Sequence, residues 1–285
     1  MSQKSALLVG EIHPQALSLL KKNTILTKKT QDEFEKLSLS GDYEILIIRT
    51  FTKISERELD KFPNLKYIVS CSVGIDNINL EELKKRDIYL IYCSGTNANS
   101  VAEHALYLIL SLLRNTKPPF IELKNKTVGI IGFGNIGKLV ARKLSGFEVN
   151  LIAFDIIEQD KNILRELKVE MKDLDYLVEN SDIITLHVNL NDNTRFMINE
   201  KIFSKMKDNV FLINTSRVEI MEEISLIKYS NLGKFKGIAL DVYSENLEKN
   251  LKGNTILTPH VASQGQDSFR EMCTKPIHEL LKILG

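Results

Sequence analysis

The sequence predicts an α/β protein with two doubly wound parallel sheets. Short apolar runs alternate with helical patterns from one end of the chain to the other. The runs are apolar throughout, which is typical of strands that helices cover on both faces. The alternation restarts more strongly near residue 127, so two such blocks follow one another. A length of 285 residues suits two domains of ordinary size.

The predicted elements follow this alternation. In the first block we expect strands within residues 6–10, 44–50, 66–71 and 88–92. In the second block we expect them within residues 127–132, 150–155, 182–188, 210–216, 237–242 and 255–259. Helical patterns cover residues 79–86, 99–113 and 267–284, and we expect the last of these to pack on the first block. The lysine-rich segment 21–29 is interpreted as a solvated edge.

Composition excludes several classes of function. Lys+Arg total 38 against 37 Asp+Glu, so no charge excess directs the protein to nucleic acid or to an anionic membrane surface. The longest apolar run, residues 105–113, is too short to cross a bilayer. No signal peptide precedes the first predicted strand, so we expect a cytoplasmic protein. Cys71, Cys93 and Cys273 are widely spaced, which indicates neither a disulfide framework nor a metal site.

A glycine-rich motif opens the second block. Gly132, Gly134 and Gly137 form GxGxxG between a predicted strand and a predicted helix. These glycines allow a tight turn, a close approach to a pyrophosphate and close packing of helix on strand. The amides near Asn135 and Ile136 would then point from the helix N-terminus at the phosphates.

The next predicted strand ends on Asp155, near the spacing expected for an acid that binds ribose hydroxyls. No basic residue follows in IIEQ, so NAD is expected rather than NADP. An empty structural turn is the alternative.

Polar residues stand at the carboxyl ends of the predicted strands, where open parallel sheets bind ligands. They are Asp155, His187, Arg217, Asp241 and His260. A guanidinium suits a substrate carboxylate, and an imidazole titrates in the range needed to move a proton. Beside a nicotinamide these groups suit hydride transfer on a 2-hydroxy acid.

Each of these residues also has a plainer interpretation. Arg217 could belong to a surface ion pair, and His260 could be a bonded loop residue. His187 is interpreted as structural and bonded to the backbone. His13, His104 and His278 lie in helical patterns and are also interpreted as structural.

The sequence resembles the D-isomer-specific 2-hydroxyacid dehydrogenase family, which includes phosphoglycerate, glycerate and D-lactate dehydrogenases. Six segments in the family's order carry the resemblance: SVGIDNINL at 72–80, NSVAEHAL at 99–106, KTVGIIGFGNIGKLVARKL at 126–144, INTSR at 213–217, ALDV at 239–242 and LTPHVA at 257–262. The resemblance implies a Rossmann NAD-binding domain, residues 96–266, inserted in a flavodoxin-like substrate domain made of residues 1–95 and 267–285. It also implies an active site in the cleft between them.

The family's functional residues carry over individually. The resemblance implies that Arg217 is the catalytic arginine and His260 the general acid/base. It implies that Asp241 contacts the nicotinamide carboxamide and that Asp155 binds the ribose. The substrate would contact Arg49, Asn97 and the amides of Val73 and Gly74. A solvated edge charge is the alternative for Arg49.

Four departures from the family pattern stand out. Val218 replaces the glycine after the arginine, with Met221-Glu222 following, and Asn189 replaces a proline. Segment 114–126 lacks about twenty residues of a loop that usually wraps a partner subunit, in a kind of connection that tolerates deletion. A homodimer is therefore expected less firmly than in the family.

The fourth departure concerns the family's catalytic glutamate, because Asn246 stands at its position and Glu245 one residue earlier. We expect Glu245 to contact His260. A solvated Glu245, with Asn246 or water on the imidazole, is the alternative.

Together these features predict an NAD-dependent D-2-hydroxyacid dehydrogenase that acts on a small substrate. The leading candidate substrates are 3-phosphoglycerate and glycerate/hydroxypyruvate. No metal is expected. The alternative is a catalytically weak NAD(H)-sensing binding protein on the same fold, which the altered glutamate and arginine segments favour.

Overall fold

The computed structural model describes residues 3–39 and 42–285, and its strands form two separate parallel sheets. The chain divides into two units, one made of Met1–Asn97 with Gln264–Gly285 and the other of Ala98–Ser263. The boundaries predicted from sequence, 95/96 and 266/267, differ from these by a few residues.

The first unit contains a five-stranded parallel sheet in the order β2-β1-β3-β4-β5. This is the strand order of flavodoxin-like folds. The strands are β1 (Lys4–Val9), β2 (Thr24–Lys29), β3 (Ile45–Ile48), β4 (Tyr67–Ser70) and β5 (Tyr89–Ile91). The helices are α1 (Pro14–Asn23), α2 (Gln31–Glu35), α3 (Glu56–Leu59), α4 (Leu80–Lys85) and α12 (Gln266–Leu284).

Helix α12 belongs to the core of this unit, although it comes from the other end of the chain. Cys273, Ile277 and Leu280 are fully buried in one cluster with Leu20 of α1 and Ile47 of β3. Burial of side chains of this size contributes about 1.5–3 kcal/mol each. The helix therefore returns the chain to the first sheet, as the sequence predicts.

The prediction for the lysine-rich segment was incomplete, because residues 24–29 form strand β2. Among residues 3–39 and 42–285 this strand pairs only with β1, with Ala6 opposite Leu26. Lysines are common on such edges because they discourage pairing with a further strand. A half-solvated edge strand has too few apolar residues to be recognised from the sequence.

The second unit contains a seven-stranded parallel sheet in the order β12-β11-β10-β9-β6-β7-β8. The order is that of a Rossmann sheet with one added strand. The strands are β6 (Thr127–Ile131), β7 (Asn150–Phe154), β8 (Val169–Met171), β9 (Ile183–Leu186), β10 (Val210–Asn214), β11 (Phe235–Leu240) and β12 (Thr255–Leu257). Strand β8, a short edge strand, was missed in the sequence.

Helices cover this sheet, so the predicted fold class, two doubly wound parallel-sheet domains, is confirmed. They are α5 (Ala98–Arg114), α6 (Asn135–Leu144), α7 (Lys161–Leu167), α8 (Leu174–Asn180), α9 (Glu200–Lys205), α10 (Glu223–Asn231) and α11 (Glu245–Asn250). The longest, α5, buries Val101, Ala105, Leu108 and Leu112 at helical spacing. It packs against β10 and β11, the two strands that lead to Arg217 and Asp241.

Candidate active site

The loop between β6 and α6 contains the three predicted glycines. Gly132 has φ +91°, and a β-carbon there would lie 2.6 Å from the carbonyl oxygen of His187. A β-carbon on Gly137 would lie 2.2 Å from the carbonyl oxygen of Gly132. A β-carbon on Gly134 would meet nothing within 4 Å. Packing therefore requires the first and third glycines, whereas the second leaves open space beside the backbone.

This open space lies at the start of α6. Gly134 is the N-cap residue, and Asn135 and Ile136 form the first turn. First-turn amides have no acceptor within their own helix, and the helix dipole adds partial positive charge there. The arrangement fits the pyrophosphate of a dinucleotide.

Asp155 lies directly after β7, and its carboxylate accepts two backbone hydrogen bonds. Oδ2 accepts from the amide of Phe133 at 2.7 Å, and Oδ1 accepts from the amide of Ile157 at 2.9 Å. A carboxylate has about four acceptor sites, so two remain for ribose hydroxyls. Ile156 and Ile157, which follow it, are 87% and 67% exposed. The first basic residue after Asp155 in the sequence is Lys161, so the segment that directly follows this carboxylate offers no cation for a 2′-phosphate.

Arg217 follows β10 and is held by the turn INTSR. Asn214 is fully buried, and its Nδ2 donates to the carbonyl oxygen of Arg217 at 2.9 Å, while its Oδ1 accepts from the amide of Ser216 at 2.8 Å. Ser216 Oγ donates to the carbonyl oxygen of Leu186 on β9 at 2.8 Å. The Arg217 guanidinium donates to the carbonyl oxygen of Ser216 at 2.9 Å. The polar residues between strand and arginine thus fix the backbone at the strand's end.

The altered residues after Arg217 are accommodated locally. Val218 begins a 3₁₀ turn, Val218–Ile220, outside the left-handed region, and packs against an apolar cluster. Met221 is fully buried. Glu222 precedes α10, and its Oε2 accepts from the amide of Glu200 at 3.2 Å and from Ser225 Oγ. The replacement of glycine therefore causes no left-handed strain.

His260 follows β12 with a φ of +54°, in the left-handed region. This conformation costs a residue with a β-carbon about 1–2 kcal/mol. The amide of His260 donates to the carbonyl oxygens of Asp241 at 2.8 Å and Thr258 at 2.9 Å. A strained residue held by several bonds is typical of functional sites.

Asp241 holds the segment on either side of His260. Its side chain is 1% exposed. Its Oδ1 accepts from Thr258 Oγ1 at 2.6 Å and from the amide of Val261 at 3.0 Å, and Oδ2 accepts from the amide of Ala262 at 3.0 Å.

Burial opposes ionisation of Asp241, but bonds from His104, Thr258 and the two amides outweigh it. The pKa of this carboxyl therefore lies below its usual range. Contact with a nicotinamide carboxamide remains a prediction, because most of the acceptor capacity of Asp241 already serves this loop.

Glu245 does not lie where the sequence led us to expect it. It is the first residue of α11, with Ser244 as the N-cap, so the helix sets its direction. Its side chain is 86% exposed and forms an ion pair of 3.0 Å with Lys249, one turn later. Asn246 Nδ2 donates to Glu223 at 3.2 Å. The structure therefore does not bring Glu245 to His260, and we withdraw that assignment.

His187 is buried in the second unit. Its Nε2 lies 2.9 Å from Thr185 Oγ1 and its Nδ1 lies 3.3 Å from Thr215 Oγ1. Burial lowers its pKa to about 3, so the ring is neutral at physiological pH. Its side chain is bonded to hydroxyls rather than to the backbone, which differs from the expectation.

The predicted substrate residues of the first unit lie after its strands. Arg49 follows β3, and its guanidinium lies 5.0 Å from the ring centroid of Phe269. Arg49 Nε and Asn97 Oδ1 are buried and have no hydrogen-bond partner among the described residues. Val73 and Gly74 lie half-exposed in the loop after β4. Arg49 is thus not a solvated edge charge.

The comparison with protein families decides the identity of the second unit. Residues 98–262 match the model of the D-isomer specific 2-hydroxyacid dehydrogenase, NAD binding domain. The chain belongs to this dehydrogenase family. The predicted resemblance is confirmed, and the glycine loop and Asp155 fall within the matched range.

Similar proteins extend the match to almost the whole chain. The dehydrogenase is 30% identical over 291 residues to a hydroxypyruvate reductase of Thermotoga maritima, with 94% of each chain covered. It is 32% identical over 284 residues to a D-3-phosphoglycerate dehydrogenase of Archaeoglobus fulgidus, covering 92% of this chain and 54% of that one. A D-lactate dehydrogenase from Aquifex aeolicus, solved with NAD and lactic acid, superposes with a TM-score of 0.85 at 27% identity, covering 98% of this chain and 95% of that one.

The dehydrogenase is an NAD-dependent enzyme of 2-hydroxy acid chemistry, as predicted. When bound, NAD supplies or accepts the hydride. In residues 3–39 and 42–285, every helix is too short or too polar to cross a bilayer. Over the same ranges, no three His, Cys, Asp or Glu side chains are grouped so that they could hold a metal ion.

Sequence reasoning missed two residues of the dehydrogenase that contact the His260 segment. His104 Nε2, on α5, lies 3.0 Å from Thr258 Oγ1 and 3.4 Å from Asp241 Oδ1. Ser100 Oγ, one turn earlier, donates to the carbonyl oxygen of Ala262 at 2.7 Å. Both residues lie in the segment NSVAEHAL, which carries part of the resemblance. They are four residues apart and so lie on one face of the helix, and this spacing was the signal available in the sequence.

Proposed function

We propose that this dehydrogenase interconverts a small D-2-hydroxy acid and its 2-keto acid, with glycerate/hydroxypyruvate and 3-phosphoglycerate as the leading substrates. The observation that carries the proposal is the position of Arg217 and His260 after β10 and β12 of the sheet that bears the nucleotide loop. Ligands of open parallel sheets bind at this edge. A cation and a proton carrier therefore share the edge that faces the nucleotide.

Arg217 is assigned to the substrate carboxylate. A guanidinium offers a planar pair of donors that matches the two carboxylate oxygens. The buried Asn214 bonds the backbone of Arg217, which supports a fixed direction for the side chain. Orientation of the substrate by such a pair lowers the entropic part of the barrier.

His260 is assigned to the substrate oxygen at C2. In reduction its imidazolium donates a proton to the keto oxygen as hydride reaches C2, and in oxidation the neutral imidazole takes the hydroxyl proton. An imidazole changes charge near neutral pH, so both directions are accessible.

Residues of the first unit are assigned to the rest of the substrate. The buried Nε of Arg49 and the buried Oδ1 of Asn97 have no partner in the described structure. Such atoms are costly to leave unbonded, and a polar substrate would satisfy them. A guanidinium also favours a phosphorylated acid, such as the one named for the Archaeoglobus fulgidus relative. The hydroxypyruvate reductase of Thermotoga maritima supports the smaller candidate substrate, which has no phosphate group.

One assay tests the proposal. Initial rates of NADH oxidation are measured with hydroxypyruvate, glyoxylate, pyruvate and phosphohydroxypyruvate. We expect the highest kcat/KM with hydroxypyruvate or its phosphate ester. An enzyme that reduces none of the four contradicts the proposal.

An Arg49→Met variant separates the two leading substrates. Methionine keeps much of the apolar stem and removes the charge. If a phosphate binds Arg49, kcat/KM should fall by about 10- to 100-fold for phosphohydroxypyruvate, since a bond to a charged group contributes about 1.5–3 kcal/mol, and much less for hydroxypyruvate. Arg57→Met, on an exposed position of α3, is the matched control.

We also propose that the dehydrogenase forms a homodimer through the outer face of α5. Leu106, Tyr107 and Leu110 line an open apolar depression there, and Tyr107 is 55% exposed. Tyrosine is enriched at protein interfaces, because its ring is apolar and its hydroxyl can form a hydrogen bond. Light scattering should give twice the chain mass for the wild type and a lower mass for Tyr107→Arg. Ile224→Arg, at another exposed apolar residue, should leave the mass unchanged.

A further inference from the structure

Helix α5 contacts the segment that contains His260 at two points. Ser100 Oγ donates to the carbonyl oxygen of Ala262 at 2.7 Å, and His104 Nε2 lies 3.0 Å from Thr258 Oγ1. Ser100 and His104 are four residues apart, so both lie on one face of the helix. The bonded residues, 258 and 262, stand on either side of His260.

The Thr258 hydroxyl determines the direction of the bond with His104. A threonine hydroxyl has one proton to donate. Thr258 Oγ1 lies 2.6 Å from Asp241 Oδ1, and the ionised carboxylate only accepts. Thr258 must therefore accept from His104, which carries its proton on Nε2. A chain of donors runs from the helix to the carboxylate.

Asp241 also forms hydrogen bonds with the segment that contains His260. It accepts from the amides of Val261 and Ala262, and its carbonyl oxygen accepts from the amide of His260. His260 is thus held in a left-handed conformation that a residue with a β-carbon rarely adopts. Loss of the His104 donor would leave Thr258 its bond to Asp241 but remove its link to α5, and so weaken the restraint on the backbone on one side of His260.

We propose that His104 and Ser100 are positioning residues that clamp residues 258–262 and so aim the imidazole of His260 at the substrate. The inference rests on the proposed function, in which His260 moves the substrate proton. Neither residue need touch the substrate or the nucleotide. The same helix packs on β10 and β11, so the clamp is attached to the central sheet of the unit.

Paired variants test the clamp. His104→Phe keeps an aromatic ring without a donor, whereas His104→Gln keeps an N–H donor. Thr258→Val removes the hydroxyl at constant size, whereas Thr258→Ser keeps it. We expect kcat to fall by about tenfold to a hundredfold in the Phe and Val variants. The Gln and Ser variants should recover most of it, and KM for NADH should stay near that of the wild type in all four.

Thr185→Val is the matched control, because it breaks another buried threonine–histidine contact of the same sheet, the one with His187. It should lower the thermal midpoint without lowering kcat. The clamp is refuted if His104→Phe and Thr258→Val turn over normally. It is also refuted if the Gln and Ser variants are as slow as the Phe and Val variants, or if Thr185→Val is equally slow.

Amide hydrogen exchange separates this inference from the proposed function. The exchange of Val261 and Ala262 is measured without cofactor or substrate. Faster exchange in His104→Phe and in Ser100→Ala, but not in Thr185→Val, supports the clamp, and unchanged exchange overturns it. A wild-type enzyme that reduces none of the keto acids refutes the proposed function, whatever the exchange shows.

Discussion

The backbone amide of Phe133 donates a hydrogen bond of 2.7 Å to Oδ2 of Asp155. This bond joins the glycine loop to the acidic end of the next strand. The residue predicted to bind the ribose therefore also holds the loop predicted to bind the pyrophosphate. Removal of its carboxylate should disturb both functions.

We predict that Asp155→Ala weakens NADH binding by about 10- to 100-fold, since a bond to a charged group contributes about 1.5–3 kcal/mol. Fluorescence titration of NADH measures the effect. Glu158→Ala, at an exposed position three residues later, is the control and should bind normally. The wild type should prefer NADH to NADPH, and equal kcat/KM with the two would contradict our account of Asp155.

Arg217→Lys should lower kcat/KM for the keto acid by about 10- to 100-fold, although the charge is kept. A lysine ammonium cannot form the planar pair of bonds with a carboxylate, and such bonds contribute about 1.5–3 kcal/mol. Steady-state kinetics provide the measurement. Arg195→Lys, at an exposed residue of the same unit, should have no effect. Near-normal activity of Arg217→Lys would show that Arg217 is a surface residue.

Glu245→Gln should leave the pH–rate profile unchanged. The carboxylate is 86% exposed and paired with Lys249, and exposed pairs of this spacing contribute only about 0.3–0.5 kcal/mol. Measurement of kcat between pH 6 and pH 9 checks the pH–rate profile, and urea unfolding checks that the loss of the ion pair changes the stability only slightly. A shift of the acid limb in this variant would restore Glu245 as the partner of His260.

His187 should make the enzyme less stable in acid. Burial lowers its pKa to about 3, whereas the unfolded chain titrates near 6.5. The unfolded state thus binds a proton between these values while the native state does not, so stability is fully present above pH 6.5 and is lost as the pH falls toward 3.

The His187 imidazole alone should lower the free energy of unfolding by about 2 kcal/mol between pH 7 and pH 5. The difference between wild type and His187→Gln in urea unfolding at the two pH values isolates it from the titration of carboxylates. An equal pH dependence in both proteins would exclude a buried neutral imidazole.

The sequence by itself determined the nucleotide loop and the positions of the buried strands along the chain. The end of a strand, a glycine with positive φ and the start of a helix are local features of the chain. Gly132, Gly134 and Gly137 mark them within six positions, so the sequence is enough to identify the loop. Short continuous apolar runs that alternate with helical patterns likewise indicate buried parallel strands. The strand ends that carry Arg217 and His260 followed from this pattern.

Edge strands and side-chain directions were not predictable in this way. Strand β2 is half solvated, so its lysines concealed it. The direction of Glu245 depends on where α11 begins, and a shift of one residue turns a helical side chain by about a quarter turn. A sequence pattern does not resolve an element boundary to one residue.

Only the tertiary structure decided what holds His260. His104 and Thr258 are 154 residues apart in the chain, and Asp241 contacts both because α5 packs on the sheet beside them. Local sequence specifies that a turn follows β12, because a proline and short polar residues stand there. Which donors surround that turn depends on helices and strands from distant parts of the chain, and these meet only when their apolar faces are buried against each other.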